Sequence, residues 1–168
     1  MMTLSKMYQE QVKILADAGI DLIAAETMIN IEETLAAVDA ANSVCDLPIM
    51  CTMTVEADGS IFSGGNAIEA AVSLEAAGAD AVGINCSVGP DQLVSVVRSI
   101  KENVSIPVIA KPNAGMPTID DKGNAVYSMN PEDFASYMKI LIENGASVVG
   151  GCCGTTPAFI RALHDSIR

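Results

Sequence analysis

Three stretches of this chain share one pattern: LADAGIDLIAAET, LEAAGADAVGINC and LIENGASVVGGCC. Each reads as a helix end, a glycine, a small polar turn and an apolar β-run. Glycine commonly follows a helix because the backbone there turns left-handed. Two further apolar runs, DLPIMCTMTV and SIPVIAKPN, are opened by proline. Gly19 and Gly78 lie 59 residues apart, and so do Pro48 and Pro107. Two interleaved series with one spacing mean a repeat of two βα units.

The pattern predicts strands at about 22–27, 48–55, 81–86, 107–111 and 147–151, with helices between them. SKMYQEQVKILADAG, IEETLAAVDAANSV and NAIEAAVSLEAAG read as helices. Three more open on proline: one from Pro90, one after an Asn130 cap and one after a Thr156 cap. Strands that are apolar almost throughout, alternating with helices, give a parallel sheet covered on its faces. The fold class is therefore α/β. Both a doubly wound sheet and part of a (β/α)8 barrel accommodate five strands. No Gly-x-Gly-x-x-Gly turn follows the first strand, so nothing supports a dinucleotide fold. A closed eight-unit barrel needs roughly 250 residues, against the 168 present. A barrel reading makes these strands the last five-eighths of one.

Composition narrows the function classes. The length suits one domain, residues 1–168, and a core with no Trp and 4% aromatic residues must be aliphatic. A formal charge of −12 argues against nucleic acid or an anionic membrane as partner. No run is long and apolar enough to span a bilayer, and MMTLSKMYQEQVK lacks the order of an export signal. The expected location is cytoplasmic, where disulfides are an uncommon use for five cysteines. Cys45 and Cys51 read as small buried hydrophobes.

The other three cysteines sit where chemistry collects, at the carboxyl ends of parallel strands. Cys86 ends the third strand; Cys152 and Cys153 end the fifth. Three converging thiols suit zinc, and three protein ligands leave a fourth position open, as in catalytic sites. Adjacent residues of a regular strand face opposite ways. Gly150, Gly151 and Gly154 are expected to free the backbone so that both sulfurs turn to one side. Three other readings stand beside the metal clamp. They are a Gly-Gly phosphate cradle at a helix start, a vicinal disulfide, and inert packing. Glu26 ends the first strand, either to receive a substrate ammonium or as a capping or solvated acid. Lys111 and Asn113 also lie at a strand end, and Lys111 reads as a rim charge. His164, the sole histidine, reads as surface. EADGS and MPTIDDKGNAVYSM read as loops over the same face, the second with a small hairpin around DKGN.

GINCSVGP, KPNAGMP and GGCCGTTP together resemble the homocysteine S-methyltransferase family, and most of all the homocysteine-binding barrel of its cobalamin-dependent methionine synthase branch. The resemblance runs through essentially the whole chain. It implies a partial TIM barrel whose five strands match the fourth to the eighth. It further implies that Cys86, Cys152 and Cys153 bind zinc, that the open position takes the homocysteine sulfur, and that Glu26 holds the substrate's ammonium group. The thiolate would attack an activated methyl group to give methionine. Methylcobalamin, carried by another domain or protein, is the implied donor, although betaine and S-methylmethionine serve relatives.

The chain departs from the family pattern at its start. On the resemblance, the Gly- and Asp-containing segment of the first barrel strand, the first three strands and any cobalamin- or folate-binding module are expected to lie outside these 168 residues. Open edges on the first and last strands here predict association with a second copy or with the missing barrel half. Two functions follow: methyl transfer to homocysteine as part of a fuller barrel, or a catalytically inactive zinc-binding half-barrel, a fragment or a subunit of a split enzyme.

Overall fold

The computed structural model describes residues 3–168. Its elements alternate as the repeat predicts: α1 (Leu4–Asp17), β1 (Ile23–Met28), α2 (Ile31–Asn42), β2 (Ile49–Met53), α3 (Ala67–Ala76), β3 (Ala81–Cys86), α4 (Val94–Asn103), β4 (Val108–Pro112), β5 (Pro117–Ile119), β6 (Ala125–Tyr127), α5 (Pro131–Glu143), β7 (Ala146–Val149) and α6 (Pro157–Ser166). Five strands form one parallel sheet in the order β1-β2-β3-β4-β7. Every neighbour in space is thus the next strand of the βα series. That order is the one a barrel requires, and it excludes the order reversal of a doubly wound sheet. β1 and β7 do not pair, so the barrel is not closed.

β5 and β6 form the expected antiparallel hairpin around the DKGN turn. Asp120 closes the turn, its carboxylate accepting from the backbone N–H groups of Lys122 and Asn124.

Side-chain caps place three of the six α-helix starts. Asn30 accepts from Glu33 N–H at 2.8 Å, Asn66 from Ile68 and Glu69, and Asn130 from Asp133. Acidic residues in those first turns favour the positive end of the helix dipole. Two expectations need correction. Thr156 stands at the N-cap of α6 without a side-chain cap bond. Pro90 opens only a 3-10 turn, Pro90–Gln92, and α4 begins at Val94. Leu93 interrupts the two with non-helical dihedrals, because its side chain is drawn into the core at 1% exposure.

The core is aliphatic, as the composition requires. Val38, Leu74, Val82, Val97, Ile109, Met138 and Leu141 are essentially inaccessible. Phe134 and Phe159 meet edge to face at 5.5 Å and hold α5 against α6. The central strands β2, β3 and β4 are buried almost throughout, whereas β1 and β7 leave several residues open to solvent. Among the described residues no helix is long and apolar enough to cross a membrane.

Cys51 fits its reading as a core residue. It lies fully buried in β2, and burial pushes its thiol up to about 12 from an ordinary 9.0. The folded chain therefore keeps a proton that the unfolded chain loses, so this contribution to stability is complete below pH 9 and falls as pH rises toward 12. The urea midpoint is expected to drop between pH 9 and pH 11, and to drop less in Cys51→Ala. Equal slopes in the two proteins would remove Cys51 as a cause.

Candidate metal centre

The parallel register of β3 and β4 sets Cys86 opposite Pro112 and Asn85 opposite Lys111. Past β7 the chain continues this alignment without strand geometry: Gly150 N–H donates to Ala110 O at 3.2 Å and Cys152 N–H to Pro112 O at 2.8 Å. These bonds carry the cysteine pair to the mouth of the sheet beside Cys86. The Sγ atoms of Cys86, Cys152 and Cys153 all lie within 4.8 Å of one another. Cys86 and Cys153 are 3.7 Å apart, Cys152 and Cys153 3.9 Å.

Those separations discriminate among the four sequence readings. A tetrahedral site with zinc–sulfur bonds of about 2.3 Å needs sulfurs about 3.8 Å apart; the Cys86–Cys153 and Cys152–Cys153 pairs match that spacing, and the third pair lies within 4.8 Å. A disulfide needs about 2.05 Å, and all five cysteines are free. The N–H groups of Gly150, Cys152, Cys153 and Thr155 already donate within the chain, which leaves fewer of them for a phosphate cradle. Inert packing does not describe an exposed Cys153 with two half-buried partners.

The glycines act partly as expected. Gly154 has φ +80, a left-handed turn that Cβ-bearing residues avoid. Gly150 and Gly151 do not; they provide space. A Cβ at Gly151 would strike the Thr155 side chain, and the stem of Lys111 lies beside Gly150. The strain falls instead on non-glycine residues. Cys86 and Ser87 have φ 66 and 61, and Thr27 has φ 60. A β-branched residue there is an outlier of the kind that clusters at functional sites.

Buried amides hold these conformations. Asn85, 1% exposed, accepts from Thr27 N–H at 3.0 Å and donates to Thr27 Oγ1 at 2.8 Å. The same NH2 group donates to Cys152 Sγ at 3.7 Å. Asn113, 3% exposed, donates to Ser87 O at 3.0 Å and accepts from Cys153 N–H at 3.1 Å. One asparagine thus ties β1 to a sulfur, and the other ties both cysteine segments together.

Desolvation pushes the Cys86 thiol up to about 11, with the thiols of Cys153 and Cys152 adding to the rise against the Ser87 backbone N–H. Tyr127, on the hairpin, lies where a Cβ on Gly154 would strike its ring. Desolvation and then the Cys153 thiol hold its phenol above the ordinary value.

Glu26 is at the mouth of the sheet, as expected for a strand-end residue. Lys111 is not a rim charge: its Nζ donates to both Glu26 carboxylate oxygens at 2.7 Å. His164 is exposed on α6, far along the chain from any strand end, beside Asp165. Asn85, Thr27 and Tyr127 were not singled out from the sequence. An asparagine inside an otherwise apolar strand was the available signal for Asn85. Nothing local marked the other two.

The fold and site together define an open β/α barrel-type sheet with three thiols at its carboxyl mouth. The homocysteine S-methyltransferase family model matches residues 1–167, and the chain belongs to this family. It is 35% identical over 166 residues to a methionine synthase of Mycobacterium tuberculosis, covering 95% of this chain and 14% of that protein. It is 34% identical over 170 residues to homocysteine S-methyltransferase 3 of Zea mays, covering 98% of this chain and 50% of the relative. The fold superposes on the metallated form of the Escherichia coli homocysteine methyltransferase MmuM with a TM-score of 0.78 at 24% identity, over 98% of this chain and 52% of that one. The chain therefore spans about half or less of the length of these relatives.

Asn113→Ala would strand the Ser87 carbonyl and the Cys153 N–H without partners. Unfolding free energy is expected to fall by about 1–3 kcal/mol, and Cys153 to react faster with a thiol reagent. Unchanged stability and unchanged reactivity would show that Asn113 does not hold the cluster.

Proposed function

We propose that Cys86, Cys152 and Cys153 hold one zinc ion and that the chain is the acceptor-binding part of an enzyme that methylates homocysteine to methionine. The observation that carries this reading is the convergence of three thiols within 4.8 Å at strand ends, in a chain of this family. Bound zinc would supply deprotonation of a coordinated acceptor thiol that is mostly protonated at neutral pH.

The chain's own residues supply the rest. Asn85 and Asn113 hold Cys152 and Cys153 so that the sulfurs face one point. Glu26 lies on β1 next to Thr27, which Asn85 ties to the cluster. A carboxylate there orients an acceptor by its ammonium group, and such orientation is worth much of the rate in a two-reactant displacement. In that displacement the acceptor sulfur bonds to the methyl carbon as the methyl–donor bond breaks. The thiol proton leaves to solvent. Methylcobalamin, delivered by another domain or protein, is the donor favoured by the similarity to methionine synthase.

A second reading is favoured by the unpaired edges of β1 and β7. In it, residues 1–168 form one unit equivalent to the fourth to eighth strands of a barrel. That unit binds zinc but turns over only when a partner, either a second copy or the remaining barrel strands, completes it. Both readings place the chain in a cytoplasmic methionine-forming system.

Protein purified without added metal or chelator is expected to carry about one zinc per chain, and Cys86→Ser to lose it; elemental analysis measures both. No zinc in the unmodified protein would overturn the metal assignment. Light scattering tests the open edges: a dimer or larger assembly is expected, and a monodisperse monomer at high concentration would count against pairing of the edges.

A further inference from the structure

The five parallel strands carry two charged residues, Glu26 on β1 and Lys111 on β4, and these two are paired with each other. The strands lie three positions apart in the sheet. Neighbouring strands are about 4.8 Å apart and side chains stand perpendicular to the sheet, so on a flat sheet the two would not meet. They meet because the sheet curls, and the ion pair crosses its concave mouth. The crossing lies beside the thiols, since Lys111 precedes Pro112, which accepts from Cys152 N–H, and Glu26 precedes Thr27, which is tied through Asn85 to Cys152.

We infer that Lys111 takes the α-carboxylate of the acceptor amino acid, completing with Glu26, already assigned to the α-ammonium, a receptor for its zwitterionic end; the inference rests on the homocysteine reading above. The pair has the properties such a receptor needs. Its side chains are 22% (Lys111) and 36% (Glu26) exposed, so solvent and a ligand reach both. An amino acid carries one charge of each sign on a single carbon. Inserting it exchanges one internal ion pair for two external ones and leaves no charge unpaired, so the usual cost of stranding a charge is avoided. The remaining eight Lys and Arg residues lie outside the strands of the sheet. Lys111 is thus the one cation among the strands that can meet a carboxylate there. Its stem lies beside Gly150, so its path to the mouth is set by the segment that also carries the cysteines.

The consequence is specificity for a free amino acid. A thiol without the carboxylate would leave Lys111 competing for Glu26, and a thiol without the ammonium would leave Glu26 competing for Lys111. Calorimetric titration of the zinc-loaded protein with three thiols separates the terms: L-homocysteine, 3-aminopropane-1-thiol, which lacks the carboxylate, and 4-mercaptobutanoate, which lacks the ammonium. Homocysteine is expected to bind at least about tenfold tighter than either truncated thiol. Lys111→Met and Lys111→Gln should weaken homocysteine about tenfold while leaving 3-aminopropane-1-thiol as tight as before or tighter. Lys111→Arg should keep most of the preference. Circular dichroism of each variant checks that the fold is intact. Homocysteine bound equally well or better by both Lys111→Met and Lys111→Gln would overturn the role of Lys111 and leave it a plug on Glu26, with the homocysteine reading intact. Failure of all three thiols to bind the unmodified protein would overturn the homocysteine reading and the receptor together.

Discussion

The register of β3 against β4 is the constraint on which the rest of this structure depends. It puts Cys86 level with Pro112, and the Pro112 carbonyl then receives the Cys152 N–H. Proline has no N–H of its own to give to the ladder, but its carbonyl still anchors the segment after β7. A slip of one residue would turn Cys86 to the other face of the sheet. The sulfurs would then be separated by the sheet itself. The apolar residues of β3 and β4, buried on both faces, make that slip costly.

The same sheet tolerates polar groups only in combinations. Asn85 and Asn113 are nearly inaccessible, and each finds partners for both its oxygen and its nitrogen. Glu26 and Lys111 neutralise one another. These bonds also hold Thr27, Cys86 and Ser87 in left-handed conformations that would otherwise cost about 1–3 kcal/mol each. Packing of the aliphatic core thus supports a strained, polar rim. A rim of that kind keeps three thiols close at the mouth of the sheet, where desolvation raises Cys86 less than it raises the fully buried Cys51.

Most of the architecture was legible in the chain. Helix-end glycines and proline-opened runs located all five parallel strands to within a few residues, because turn chemistry and apolar runs are local signals. The DKGN hairpin was legible for the same reason. The start of α4 was not. Proline at a first helical turn reads as a helix start, whereas burial of Leu93 splits the segment into a 3-10 turn and a helix. The thiols of Cys86, Cys152 and Cys153 were legible as a set because strand ends of a parallel sheet face one side. The glycines flanking the cysteine pair have two different roles: Gly154 supplies a left-handed turn, whereas Gly151 supplies room for Thr155. Lys111 was misread because its partner is 85 residues away.

The sequence by itself determined the parallel α/β order, the aliphatic core and the three cysteines at strand ends. Each is set by residues near one another in the chain or by a repeated spacing. Only the tertiary structure decided that Glu26 meets Lys111, that Asn85 joins Thr27 to Cys152, and that Tyr127 lies against Gly154. Those contacts exist because the sheet curls. Curl is the sum of small twists over five strands and the helices packed on them, and no single stretch of sequence carries it.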